Sequence, residues 1–182
     1  MQITYRRLPC GAVVPHTGWE ERHPGVHFRA AVVADLHDEP YGKLMEALRR
    51  IAPDLILIPG DLTENLTVLT DESGKSDRPG LGFLAEAAAL APTFYAWGNH
   101  ETGAGHINLG KPMRESVAQR SILPCWQDII RASGAVLLDQ SYTVYRGLVL
   151  GGMRSGLLNP GRMRDLDWLD GFCRTPGYRI LL

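Results

Sequence analysis

The chain has 182 residues, of which 45% are hydrophobic and 21% charged, enough for one substantial core and incompatible with a disordered or fibrous chain. With 19 Lys and Arg against 20 Asp and Glu the net charge is −1, which excludes the broad positive field of a protein that grips nucleic acid through many phosphates. Cys10, Cys125 and Cys173 are far apart and never form a Cys-x-x-Cys pair, which argues against a disulfide framework and against a thiolate zinc site.

The segment Met1 to Cys10 carries Arg6 and Arg7 with no apolar stretch behind them, and no run approaches the ~20 apolar residues of a membrane span. A reducing, cytoplasmic setting is the expectation. Phe28 to Ala34 is an apolar run that predicts a strand buried on both faces, with Asp35 at its end. From Gly42 to Ala52, Leu44, Met45, Leu48 and Ile51 recur at helical spacing, and Pro53 ends the helix. Asp54 to Ile58 predicts a second buried strand, Leu81 to Ala91 a second helix stopped by Pro92, and Thr93 to Trp97 a third strand. Strand, helix, strand, helix, strand implies parallel strands joined by right-handed crossovers.

The loop from Gly98 to Pro112 is too long for a plain connector and reads as functional. Pro124 to Ser133 predicts a helix, followed by short strands at Ala135 to Leu138, Gln140 to Tyr145 and Leu148 to Gly151, the last two joined by a hairpin-like turn at Arg146 and Gly147. These strands are expected to begin a second sheet. Asp165 to Phe172 predicts a short helix with Leu166, Leu169 and Phe172 on one stripe, and Tyr178 to Leu182 one more buried strand.

Three polar clusters follow three consecutive strands: Asp35-Leu36-His37, Gly60-Asp61 and Gly98-Asn99-His100-Glu101. The carboxyl ends of parallel strands share one edge, so the clusters meet in space. Carboxylates, imidazoles and an amide form a mixed oxygen and nitrogen donor set suited to Mn, Fe, Co or Zn. Each signal has a plainer reading: Asp61 and Asn99 are also turn formers, but that leaves the adjacent histidines unexplained.

In this order, each after a strand, Asp35-x-His37, Gly60-Asp61 and Gly98-Asn99-His100-Glu101 resemble the calcineurin-like metallophosphoesterase family, and the resemblance covers most of the chain. It implies an α/β fold, a layered αββα sandwich with a largely parallel motif-bearing sheet and a partial second sheet facing it. It implies two divalent metal ions, Mn foremost among Mn, Fe, Zn and Co. Asp35 and His37 would bind the first metal, Asp61 would bridge both, and Asn99 would bind the second. His100 would be the catalytic side chain, steadying the phosphoryl group or protonating the leaving oxygen. The implied activity is hydrolysis of a phosphomonoester or phosphodiester by a metal-bridging hydroxide, with a phosphate ester of unspecified identity as substrate, no strong nucleic-acid signal and no indication of oligomeric state.

Family members add later histidines, including a Gly-His-x-His motif, whereas nothing after His106 here is a histidine. The expectation is therefore residues 1–182 as one domain, incomplete at its C-terminus, with a weakened second metal site and poor or absent turnover. The alternatives are a non-catalytic fragment or metal-binding module retaining part of the dinuclear site, and a different metal hydrolase using only Asp35, His37, Asp61 and Asn99. His16, His23 and His27 read as surface residues, and His106 as either a substrate contact or solvent-exposed. Asp38 and Glu39 read as solvated loop openers in preference to orienting His37 or joining the metal field, Phe94 and Trp97 as core, and Arg154 as a loop arginine that faces solvent unless it reaches a phosphate.

Overall fold

A computed structural model describes residues 29–64, 66, 78–101, 122–154 and 167–182. Four strands, β1 (Ala30–Val32), β2 (Leu55–Ile58), β3 (Thr93–Tyr95) and β4 (Val136–Leu137), form one sheet in the order β1-β2-β3-β4. All three pairings are parallel. Between them run α1 (Gly42–Ile51), α2 (Pro79–Leu90) and α3 (Pro124–Ala132). With strands in sequential order and right-handed crossovers, all three helices fall on the same face. The packing agrees: Met45 and Leu48 of α1, Phe83, Leu84 and Ala87 of α2, and Trp126 and Ile130 of α3 share one core with Ile56, Ile58 and Tyr95.

Local chemistry explains the helix limits. Pro79 and Pro124 sit in the first turns of α2 and α3, where a missing N–H costs nothing. At the end of α1, Ala52 turns left-handed at φ 47° and returns its N–H to Leu48 before Pro53.

The other face of β2 carries Leu55 and Leu57, which pack with Phe94 and Leu138 against Leu148 and Leu150 of a second sheet. That sheet has the order β5-β6-β7, built from Ser141–Tyr145, Leu148–Gly152 and Tyr178–Leu181. The hairpin turn between β5 and β6 holds Arg146 at φ 48° and Gly147 at φ 83°, the two positive angles that match strand twist. Beyond this sheet lies α4 (Asp167–Arg174), whose Phe172 meets the ring of Tyr142 on β5. The layering is thus helices, sheet, sheet, helix.

Three expectations change in detail. Ala135 to Leu138 does not open the second sheet: β4 pairs with β3 instead, because the intervening helix α3 returns the chain parallel to the strand it left. Nor is β1 buried on both faces, since Val32 is 66% exposed. Ala30 and Val32 stand beside Leu55 and Leu57 in register, and the second sheet covers those leucines without reaching β1. Likewise β7 alternates, with Tyr178 and Ile180 against the core and Arg179 and Leu181 exposed. Leu166, His16, His23, His27, His106 and most of the 98–112 loop lie outside the described residues. No helix among the described residues is long and apolar enough to cross a membrane.

Candidate metal centre

The three turns that follow β1, β2 and β3 lie side by side at one sheet edge. Pairing continues past the strands: Val33 donates to the Leu57 carbonyl, then His37 to Asp61 and Asp38 to Leu62, at 3.0, 3.1 and 3.1 Å. The backbone then leaves the allowed β region abruptly. Asp35, His37, Asp38 and Asp61 all take left-handed conformations, at φ 55°, 51°, 57° and 53°. Each such residue costs about 1–2 kcal/mol when it is not glycine, and side chains of the Asp type tolerate it best. Four within two adjacent turns mark a place where geometry outweighs local stability.

Two glycines let these turns close. Gly60 has φ 117°, and a Cβ there would overlap the backbone of Gly98. A Cβ on Gly98 would overlap the Asp61 carboxylate. His100, two residues on, donates its backbone N–H to Asp61 Oδ1 at 2.9 Å. Asn99 therefore sits between two residues whose backbones both press against Asp61.

His37, Asp61 and His100 each offer a ligand atom, and these atoms lie within 4.8 Å of one another. The two imidazoles meet edge to face, with ring centres 4.1 Å apart. Asp35 is the most exposed of the set, with its Oδ1 3.8 Å from His37 Nε2. Two ligands held about 2.1 Å from one ion stand roughly 3–4 Å apart, so atoms within 4.8 Å of one another need move only a little to meet around a divalent cation. The donor set, the short separations and the glycine clearance all fit a metal.

Sequence reasoning missed Glu64. Its Oε1 receives His37 Nδ1 at 3.2 Å and His100 Nδ1 at 2.8 Å. An ionised carboxylate only accepts, so these contacts place a proton on Nδ1 of each ring and distinguish it from Nε2. The available signal was position: Glu64 follows Asp61 by three residues, in the polar stretch that opens directly off β2.

Asp38, read as solvated, is instead a tie between turns. Its Oδ2 accepts from Thr63 Oγ1 at 2.7 Å and from the Glu64 N–H at 3.1 Å, while Oδ1 accepts from the Gly80 N–H at 2.9 Å. Glu39 is exposed as expected. Glu101 is fully buried, accepting hydrogen bonds from both the Asp61 and the Gly98 turns. Burial pushes its carboxyl upward, opposed by hydrogen bonds from its own backbone N–H and those of Leu62 and Thr63 and from the Tyr95 hydroxyl. Phe94 and Trp97 are core residues. Arg154 does not face solvent: it pairs with both oxygens of Asp139, at 2.6 and 2.8 Å, and lies 4.8 Å over the Trp97 ring.

A family profile described as Calcineurin-like phosphoesterase matches residues 28–177. The chain belongs to the calcineurin-like phosphoesterase family. A search of curated proteins returned no match at a significant level. In this calcineurin-like phosphoesterase Asp35 and His37, Asp61, and Asn99 and His100 follow three consecutive strands of one parallel sheet. The matched span includes every residue of the cluster built above, with Glu64 and Asp38 among them.

Proposed function

We propose that this calcineurin-like phosphoesterase hydrolyses phosphomonoesters or phosphodiesters with two divalent metal ions, Mn foremost. Asp35 and His37 would hold the first, Asn99 would hold the second, and Asp61 would serve both. The supporting observation is the convergence of His37, Asp61 and His100 within 4.8 Å, in a member of this family. Divalent cations at such a site polarise a phosphoryl oxygen and make a water nucleophilic near neutral pH.

The protein's own contribution is orientation and proton control. Glu64 holds the Nδ1–H of His100 at 2.8 Å, which fixes the ring; in its doubly protonated form His100 would give the Nε2 proton to the departing alkoxide and be left as the neutral Nδ1–H imidazole. Asp61 Oδ1 holds the His100 backbone at 2.9 Å, so the acid and the bridging carboxylate keep one spacing. The same Glu64 oxygen presents His37 Nε2 toward Asp35.

The test compares His100→Gln with the unaltered chain on two Mn-supplemented substrates, a nitrophenyl phosphodiester and an alkyl one. Loss of a general acid costs about 10²–10⁴-fold where the leaving group needs its proton. The alkyl ester should therefore suffer far more than the nitrophenyl ester. Equal losses would remove His100 from proton transfer, and no metal-dependent release from the unaltered chain would overturn the reading altogether.

A further inference from the structure

We propose that Glu101 is a positioning residue of this site, an anionic acceptor that fixes the distance between the turn carrying Asp61 and the turn carrying Asn99 and His100. Its effect on metal binding presupposes the phosphoesterase reading above; its hold on the two turns does not. One atom does the joining. Glu101 Oε2 accepts from the Asp61 N–H at 3.0 Å and from the Gly98 N–H at 2.8 Å, so a single oxygen is shared by both turns. Oε1 accepts from the N–H groups of Leu62 and Thr63, at 2.7 and 3.3 Å, and from the Tyr95 hydroxyl at 2.9 Å.

The clasp is reciprocal. The side chain of Glu101 holds the backbone of Asp61, and the side chain of Asp61 holds the backbone of His100, the residue before Glu101. Neither turn can shift without breaking a bond to the other. Among the described residues each of these five partners donates to the carboxylate, so the anion is the form that fits. A buried charge is expensive, and filling space alone would call for an apolar residue. What the charge supplies is acceptor capacity for four backbone N–H groups that no neutral side chain of this size can match.

Substitution separates position from packing. Glutamine has the shape of glutamate, but its NH₂ must replace one oxygen, and either orientation leaves two backbone N–H groups facing a donor. Aspartate is shorter yet keeps the anion. Mn²⁺ affinity by titration calorimetry and amide exchange at Asp61 and Gly98 by NMR would be measured for the unaltered full chain, Glu101→Gln and Glu101→Asp. Aspartate should stay within about tenfold of the unaltered Mn²⁺ affinity and keep slow exchange at both amides. Glutamine should fall further, by up to about 100-fold, as lost support behind a metal ligand does, and exchange fast at both, or not fold at all. The reverse order, with glutamine like the unaltered chain and aspartate damaged, would show that Glu101 only fills space. Should the unaltered chain bind no Mn²⁺, the phosphoesterase reading falls, and the exchange rates alone decide whether Glu101 joins the turns.

Discussion

Replacing Gly98 by alanine adds one methyl group at the narrowest point of the site. That Cβ would lie 2.8 Å from the Asp61 nitrogen and 2.9 Å from its Cγ, and it would overlap Oδ1. Ordinary carbon contacts need about 3.5 Å, so the carboxylate must retreat by half an ångström at Cγ and by about 1 Å at the oxygen. The oxygen displaced is the one that accepts the His100 N–H at 2.9 Å, so the shift reaches both residues. Gly98 is not among the residues with positive φ, and alanine therefore suffers no backbone strain there. The perturbation is steric alone. A misplacement near 1 Å costs on the order of 10²-fold in rate, while overpacking costs roughly 1–3 kcal/mol of stability. Initial rates on a nitrophenyl phosphodiester with added Mn, measured beside a melting curve, separate the two effects. A folded Gly98→Ala protein with activity within about threefold of the unaltered chain would refute the contact between Gly98 and Asp61 as the reason for glycine.

Other consequences are accessible by stability measurements. Asp38→Ala orphans the Glu64 and Gly80 amides and should cost roughly 2–4 kcal/mol in urea unfolding; a change below about 1 kcal/mol would show that water takes over the tie. Ala52→Gly relieves a left-handed residue at φ 47° and should gain about 0.5–1 kcal/mol, and a loss would contradict the helix ending described. Burial and the neighbouring Glu101 hold the Tyr95 hydroxyl well above its ordinary range. The folded protein thus retains that proton after the unfolded chain has released it, so this contribution to stability is complete below about pH 10 and declines as pH rises further. Tyr95→Phe should flatten the alkaline limb, and an unchanged limb would assign it to other groups.

Much of this architecture was legible because apolar runs, prolines and helical spacing act locally. Pro53, Pro92 and Pro124 bound helices in the sequence and in the fold alike. The partner of β4 was not legible, because Ala135 to Leu138 has the same apolar character whichever sheet it joins; only the helix before it fixes the direction. The exposure of Val32 follows from how far the second sheet reaches, a property of tertiary packing and not of the strand. At the site, motif order placed Asp35, His37, Asp61, Asn99 and His100 on three neighbouring turns. The contacts made by the groups behind them were not legible, for a physical reason. Asp38 and Glu64 look like solvated loop residues until the turns close and aim them at backbone amides and imidazoles. Arg154 was misjudged similarly, since its partners Asp139 and Trp97 come from separate strand ends.

The role given to Asp61 is open to direct measurement. Asp61→Asn keeps the shape of the side chain and an oxygen for the His100 N–H, removing only the charge that two cations would share. Metal content after Mn loading and phosphodiester hydrolysis would be measured on both proteins. The unaltered chain should hold Mn and show Mn-dependent turnover, and Asp61→Asn should lose both while melting at a similar temperature. An Asp61→Asn protein that retained its metal and its rate would contradict the assignment of Asp61 as the bridging ligand.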